Sequence, residues 1–306
     1  MSAEMDAEDL RKVFSALREL DVVRLVGEEP LLRPDLIDVA ETILELSRPS
    51  VLHLATDGQQ PRAAEDFARA LSSVRPLRIV VQLDAPLEGD AHLEAHRRFA
   101  TALDTLKVLR TAACERAFEV SACSVLRTEA PGHHVRTRDL LDELGVELYV
   151  LPPSLHPGEA WSPAIRNAIE AELERLEPER GLTSAGVRYF LRGALGRLDP
   201  AIGGPRRPIC TSLRSHFTIE ADGSVATCGL RSESVGSLVA TEFDELWFGP
   251  QAESARGVVE GCSGCWAPEE VLPSAFYTGD IVRALRGRVG VGSGERGRRV
   301  VNARLS

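Results

Sequence analysis

Apolar positions in residues 6–20, DAEDLRKVFSALREL, recur at helical spacing. Leu10, Val13, Phe14, Leu17 and Leu20 make one stripe behind Asp6, a good N-cap. Val22–Val26 is short and β-branched, as strands are. The loop Gly27-Glu28-Glu29-Pro30 follows, and Pro34 suits the first turn of a second helix through about Leu46. The same unit then recurs. Val51–Ala55 ends in Thr56-Asp57-Gly58 before a helix through Leu71. Arg78–Leu83 ends in Asp84 before a helix from about His92 to Arg110. Phe118–Leu126 ends in Arg127 before a helix around Asp139–Leu144, and Glu147–Leu151 ends at Pro152. Five strands alternating with helices at βα spacing predict a parallel sheet or barrel. Chemistry in such folds gathers where strands end, and here those ends carry Glu28, Glu29, Asp57, Asp84 and Arg127.

The pattern changes in the last third. Ser162–Leu176 reads as a Glu-rich bridging helix, and Gly193–Pro208, with repeated Gly and Pro, as a linker. A hairpin follows: Phe217 and Ile219 alternate, Asp222-Gly223 supplies the two residues of a primed turn, and Val225 opens the return strand. That turn sets Phe217 opposite Cys228. Phe243–Gly249 is a short helix whose Trp247 packs under the module, and the Arg- and Gly-rich chain after Arg283 reads as a loose tail. The expected divisions are a partial (βα) barrel over 1–155, a helical bridge and linker over 156–204, a cysteine module over 205–270 and a basic tail over 271–306.

Cys210, Cys228, Cys262 and Cys265 are four of six cysteines, and the last two form C-x-x-C, a spacing that grips one metal or one cluster edge. Three chemistries compete. Nothing at the amino terminus resembles a secretory signal, which argues against disulfides. A structural zinc site on the four thiolates is satisfied in donor type, but zinc ribbons carry two tight knuckles and the first pair here is widely spaced. An iron–sulfur cluster tolerates the wider spacing. Cys114 and Cys123 read as small buried hydrophobes. The carboxylates at the strand ends can also be read as ligands for a hard cation, or as solvated loop charges. His92, His96, His133, His134 and His156 lack metal-ligand periodicity beyond the i, i+4 pair His92–His96.

Composition narrows the class. A length of 306 residues, 43% hydrophobic and 27% charged, is ordinary for a globular chain with a buried core. A net charge of −10 argues against nucleic acid, and no run approaches a membrane span. The expectation is a cytoplasmic protein with no nucleic-acid or membrane partner.

RLVGEEPLLRPDL, LATDG and the strand and helix from VVQLDAP onward resemble the radical S-adenosylmethionine (radical SAM) superfamily. The hairpin and its cysteines resemble the SPASM or twitch domain that one branch of that superfamily carries at its C-terminal side. The resemblance covers about residues 6–268. It implies a [4Fe–4S] auxiliary cluster on Cys210, Cys228, Cys262 and Cys265, and a peptide or protein substrate. It also implies that Gly27, Glu28, Glu29, Pro30, Thr56, Asp57, Gly58 and Arg127 face S-adenosylmethionine. Family members hold a second cluster on C-x-x-x-C-x-x-C just after their first barrel strand, and use it to cleave the cofactor to a 5′-deoxyadenosyl radical.

The departures lie at one place. C-x-x-x-C-x-x-C is absent from these 306 residues, Glu28 stands where the family has its second glycine, and Asp57 stands for an asparagine. Either the missing strand and cysteines lie upstream of Met1, or the protein is a degenerate relative. Without that strand Val22–Val26 is expected to be an open barrel edge, which points to a missed start or else to a partner that covers the edge. The rival reading is a non-catalytic peptide-binding subunit with a structural zinc or iron–sulfur site.

Overall fold

The structure, a computed structural model, describes residues 4–71, 76–84, 93–126, 133–152, 163–176, 182–198, 207–262, 264–286 and 300–304. The first helix, α1 (Ala7–Ala16), opens on a capping box: Asp6 accepts from the Asp9 N–H at 2.9 Å while Asp9 accepts from the Asp6 N–H. Strand β1 (Val22–Val26) leads to a 3-10 turn at Pro30–Leu32 and then α2 (Leu36–Leu46). The repeat continues as β2 (Val51–Thr56), α3 (Pro61–Leu71), β3 (Leu77–Gln82), α4 (Leu93–Glu115), β4 (Phe118–Val125), α5 (His133–Leu144) and β5 (Glu147–Leu151). Helices α6 (Pro163–Leu176) and α7 (Leu182–Leu198) then lead to the cysteine module.

Strands β1 to β5 are all parallel and lie side by side in chain order. Alternation decides their faces. Val23, Leu25, Leu52, Leu54, Ile79 and Val81 are buried in one continuous core with Phe14, Ile43, Phe67, Leu106 and Leu109 of the covering helices. The other face carries a polar row set by register, Arg24 beside His53 beside Arg78 beside Glu119, with Arg78 paired to Glu119 at 2.6 Å.

The module comprises β6 (His216–Ile219), β7 (Ser224–Cys228), β8 (Arg231–Ser237), α8 (Phe243–Trp247), α9 (Pro250–Glu260), α10 (Pro268–Tyr277) and α11 (Asp280–Arg286). A last strand, β9 (Val300–Arg304), runs parallel to both β1 and β6 and joins the two halves into one nine-stranded sheet, β5-β4-β3-β2-β1-β9-β6-β7-β8.

Three expectations are corrected here. The edge of β1 is not open for a partner: β9 pairs along it from Val22↔Val300 to Val26↔Arg304. Part of the expected loose tail is therefore a strand, because two flanking edges satisfy its backbone groups and override its weak local signal. Second, α7 runs through Gly193 to Leu198, so a linker does not begin at Gly193. Third, the hairpin register differs by one residue. Thr218 lies opposite Ala226 and Ile219 opposite Val225. The reason is the turn: Glu220 and Ser224 close a three-residue loop in which Gly223, at φ +78°, takes the left-handed position. Continuing that register puts His216, and not Phe217, across from Cys228.

Candidate iron–sulfur site

Three local devices present the four cysteines. Cys210 precedes a tight turn in which the Arg214 and Ser215 N–H groups both donate to the Thr211 carbonyl at 2.9 Å. Leu213 sits there at φ +58°, and its carbonyl accepts from the buried Arg256 Nε at 2.9 Å. Arg256 in turn covers the Trp247 ring at 4.9 Å from its centroid, and Trp247 packs on Phe217 and Phe243. Cys228 ends β7. Cys262 and Cys265 form a knuckle after α9 that needs glycine at 264. The backbone there is at φ +94°, and a Cβ would fall 1.0 Å from Arg207 Nη1.

The four sulfurs line one cavity of about 270 Å³, walled by Pro208, Leu230, Val259 and Val271 and rimmed by Arg207 and Arg231. None is paired in a disulfide. Among the described residues, no three His, Cys, Asp or Glu side chains form a group that could hold a single metal ion. Burial pushes the Cys210 and Cys228 thiols up to about 11 and raises Cys265 as well. Backbone amides oppose that cost at these three sulfurs, and a fourth amide reaches Cys262. Ser212 donates to Cys210, Leu230 and Arg231 to Cys228, Gly264 to Cys262 at 3.3 Å, and Ala267 to Cys265. Each cysteine thus receives the N–H two residues onward, an arrangement that stabilises sulfur in its charged, metal-bound form.

Behind the sulfurs lies a buried polar network that sequence reasoning did not find. Glu270, 3% exposed, lines the cavity with Oε2 at 4.0 Å from Cys210 Sγ. Its Oε1 accepts from the Gly229 N–H at 2.7 Å, and Oε2 is 3.0 Å from His216 Nε2. Ser215 Oγ sits 3.0 Å from His216 Nδ1 and 2.6 Å from Thr211 Oγ1, and the Thr211 N–H donates to Ser274 Oγ at 3.0 Å. The legible signals were Pro268, which starts α10 just after the knuckle, and the Glu269-Glu270 pair beside it.

Residues 210–266 match the model of SPASM, an iron–sulfur cluster-binding domain. This segment is a SPASM domain. The solved structure "Native anSMEcpe with bound AdoMet" is 18% identical and covers 82% of this chain and 73% of its own, with a TM-score of 0.56. Two further structures of native anSMEcpe, with bound AdoMet and the Cp18Cys or Kp18Cys peptide, are 16% and 17% identical, with TM-scores of 0.54 and 0.55. Each spans 82% of this chain and 74% of its own. No curated protein matches the sequence. The likeness shows the fold alone, five parallel strands in an α/β sheet with the SPASM domain beyond it.

The strand-end residues are placed more modestly. Glu29 is buried, and its carboxylate accepts from the Leu31 N–H (2.9 Å), Thr56 Oγ1 (2.8 Å) and the Asp57 N–H (2.7 Å). It ties the loop after β1 to the end of β2. Burial, with a hydrogen bond to the Asp57 side chain, pushes its carboxyl up to about 7. Asp57 pairs with Arg98 at 3.0 Å, Asp84 accepts from Ser124 and Val125, and Glu28 is exposed, so these carboxylates do not converge as a hard-cation site. Gly58, at φ +72°, lets α4 pack close: a Cβ would fall 2.7 Å from Val81 Cγ1 and 3.0 Å from Ala102 Cα. Arg127, His92 and His156 lie outside the described residues. Cys114 is exposed, and burial pushes the Cys123 thiol to about 12. Among the described residues, no helix is long and apolar enough to cross a membrane.

Proposed function

We propose that Cys210, Cys228, Cys262 and Cys265 hold a [4Fe–4S] cluster, and that the protein acts on a peptide or protein. The observation that carries this reading is the set of four sulfurs around one cavity, each with its own backbone N–H donor. The match of residues 210–266 to an iron–sulfur cluster-binding domain supports a multi-iron centre over a single zinc ion. When bound, such a centre supplies one-electron chemistry. The chain's own part is to present thiolates and exclude water with Val259, Val271 and Leu230. The peptide assignment draws support from the anSMEcpe structures with bound peptides.

Two forms of the reading differ over S-adenosylmethionine. In one, the cofactor lies against Gly27–Pro30, Thr56, Asp57, Gly58 and Arg127, and cysteines outside these 306 residues hold the initiating cluster. In the other, the chain binds peptide without radical chemistry. The second is favoured by the engagement of both Glu29 carboxylate oxygens within the sheet.

Anaerobic purification followed by iron, sulfide and zinc analysis tests the metal. Iron and sulfide in equal amounts at about four per chain are expected; colourless protein with one zinc overturns the cluster. Reductant and S-adenosylmethionine test the cofactor. Formation of 5′-deoxyadenosine by protein made with whatever in-frame residues adjoin these 306 selects the enzyme form, and its absence from that protein, cluster-loaded, selects the binding form.

A further inference from the structure

We propose that Glu270 is an outer-shell carboxylate that lowers the reduction potential of the SPASM cluster; this deepens the reading above and rests on it. The geometry is specific. A carboxylate 3% exposed lines the cavity beside Cys210 Sγ, where its charge is poorly screened by water. Both oxygens act as acceptors. Oε1 takes the Gly229 N–H, directly after Cys228, and Oε2 takes His216 Nε2–H. Ser215 Oγ lies 3.0 Å from His216 Nδ1 and 2.6 Å from Thr211 Oγ1, so hydrogen bonds hold the imidazole at both ring nitrogens against the carboxylate. Ser274, one turn along α10 from Glu270, closes the network on Thr211. The carboxylate is thus held at the sulfurs by segments that follow Cys210, Cys228 and Cys265, and it cannot swing away to water.

A fixed negative charge opposes the arrival of an electron. The backbone N–H donors at the sulfurs act in the other direction. Glu270 is a positioning and tuning residue in this scheme: it touches the frame of the cluster and is not a ligand in the proposed set.

The test is the midpoint potential of the cluster in the full chain, read by spectroelectrochemical titration, with iron content measured on the same samples. Glu270→Gln preserves shape and the acceptor for Gly229 N–H, and His216 can switch tautomer to accept from the new amide. At wild-type iron content its one-electron equilibrium is expected to shift at least tenfold toward the reduced form, about 59 mV upward. An unchanged potential in iron-replete Glu270→Gln overturns the role. Should Glu270→Gln lose its iron, Glu270→Asp is read in its place. It draws the charge one methylene back from Cys210, so its midpoint rises by less than the tenfold shift expected of the glutamine variant, and a midpoint at the wild-type value overturns the role. Wild-type protein without iron overturns the cluster reading itself, which separates the two failures.

Discussion

Gly193 and Trp266 make one packing unit between α7 and the cysteine knuckle, and the cost of disturbing it follows from the geometry. Trp266, directly after Cys265, is 2% exposed, stacks on Phe190 at 5.8 Å and donates from Nε1 to the Phe190 carbonyl at 2.9 Å. A Cβ on Gly193 would fall 1.9 Å from Trp266 Cζ2 and 2.2 Å from Cη2. Gly193→Ala gains about 0.5–1 kcal/mol of helix propensity. Against this stand about 1–3 kcal/mol for overpacking a rigid ring and about 1 kcal/mol for its hydrogen bond once the ring is displaced. The clash wins, and a net loss of about 2–3 kcal/mol is expected, read from urea unfolding followed by circular dichroism. Trp266→Leu alone costs a similar amount by opening a cavity. In the double variant the new methyl enters that cavity, so the loss falls short of the summed singles by about 1–2 kcal/mol. Gly193→Ala unfolding at the wild-type urea midpoint, or strictly additive losses, refutes the reasoning.

Other expectations follow from separate parts of the structure. Cys228→Ser and Cys265→Ser are expected to lose most of the iron while keeping wild-type far-ultraviolet circular dichroism, since the five parallel strands and their helices are built without them; wild-type iron content in both removes these residues from the ligand set. Glu29 gives a pH signature. Its folded carboxyl keeps its proton to about 7, whereas the unfolded chain releases it near the ordinary 4.5. The folded state therefore holds the extra proton between those values, and raising pH through that window weakens the fold. Unfolding free energies at pH 5 and pH 8 should differ less in Glu29→Gln than in the wild type, and an equal pH dependence refutes the assignment. Deleting residues 300–304 bares the edges of β1 and β6, and light scattering on warming is expected to show earlier aggregation than in the full chain. Unchanged behaviour means the strand contributes nothing to sheet integrity.

The five parallel strands were legible because each carries its own β-branched run and its own turn chemistry, as at Val22–Val26 and at Thr56-Asp57-Gly58. The four cysteines were legible because no other residue type has so narrow a use at that spacing. Three features were hidden for physical reasons. The hairpin register turns on whether Ala221 belongs to the loop, and one residue decides whether Phe217 or His216 lies across from Cys228. Gly193 looks like a linker residue, yet it is glycine because an indole distant in sequence occupies the space of its side chain. Strand β9 has little local signal, and its pairing comes from two edges far away in the chain. Glu270 and His216 belong to the same class: neither is unusual in sequence, and only the fold brings them to the sulfurs.

The position of β9 has a consequence for biosynthesis. Its neighbours on the two sides, β1 and β6, leave the ribosome long before residues 300–304, and neither can complete its ladder until then. The nascent chain exposes one bare strand border at β1 through most of translation and a second once β6 has emerged, both concealed in the finished protein. Slowed synthesis between β6 and β9 should therefore harm yield more than slowing at any earlier stretch, a dependence set by strand order and not by stability.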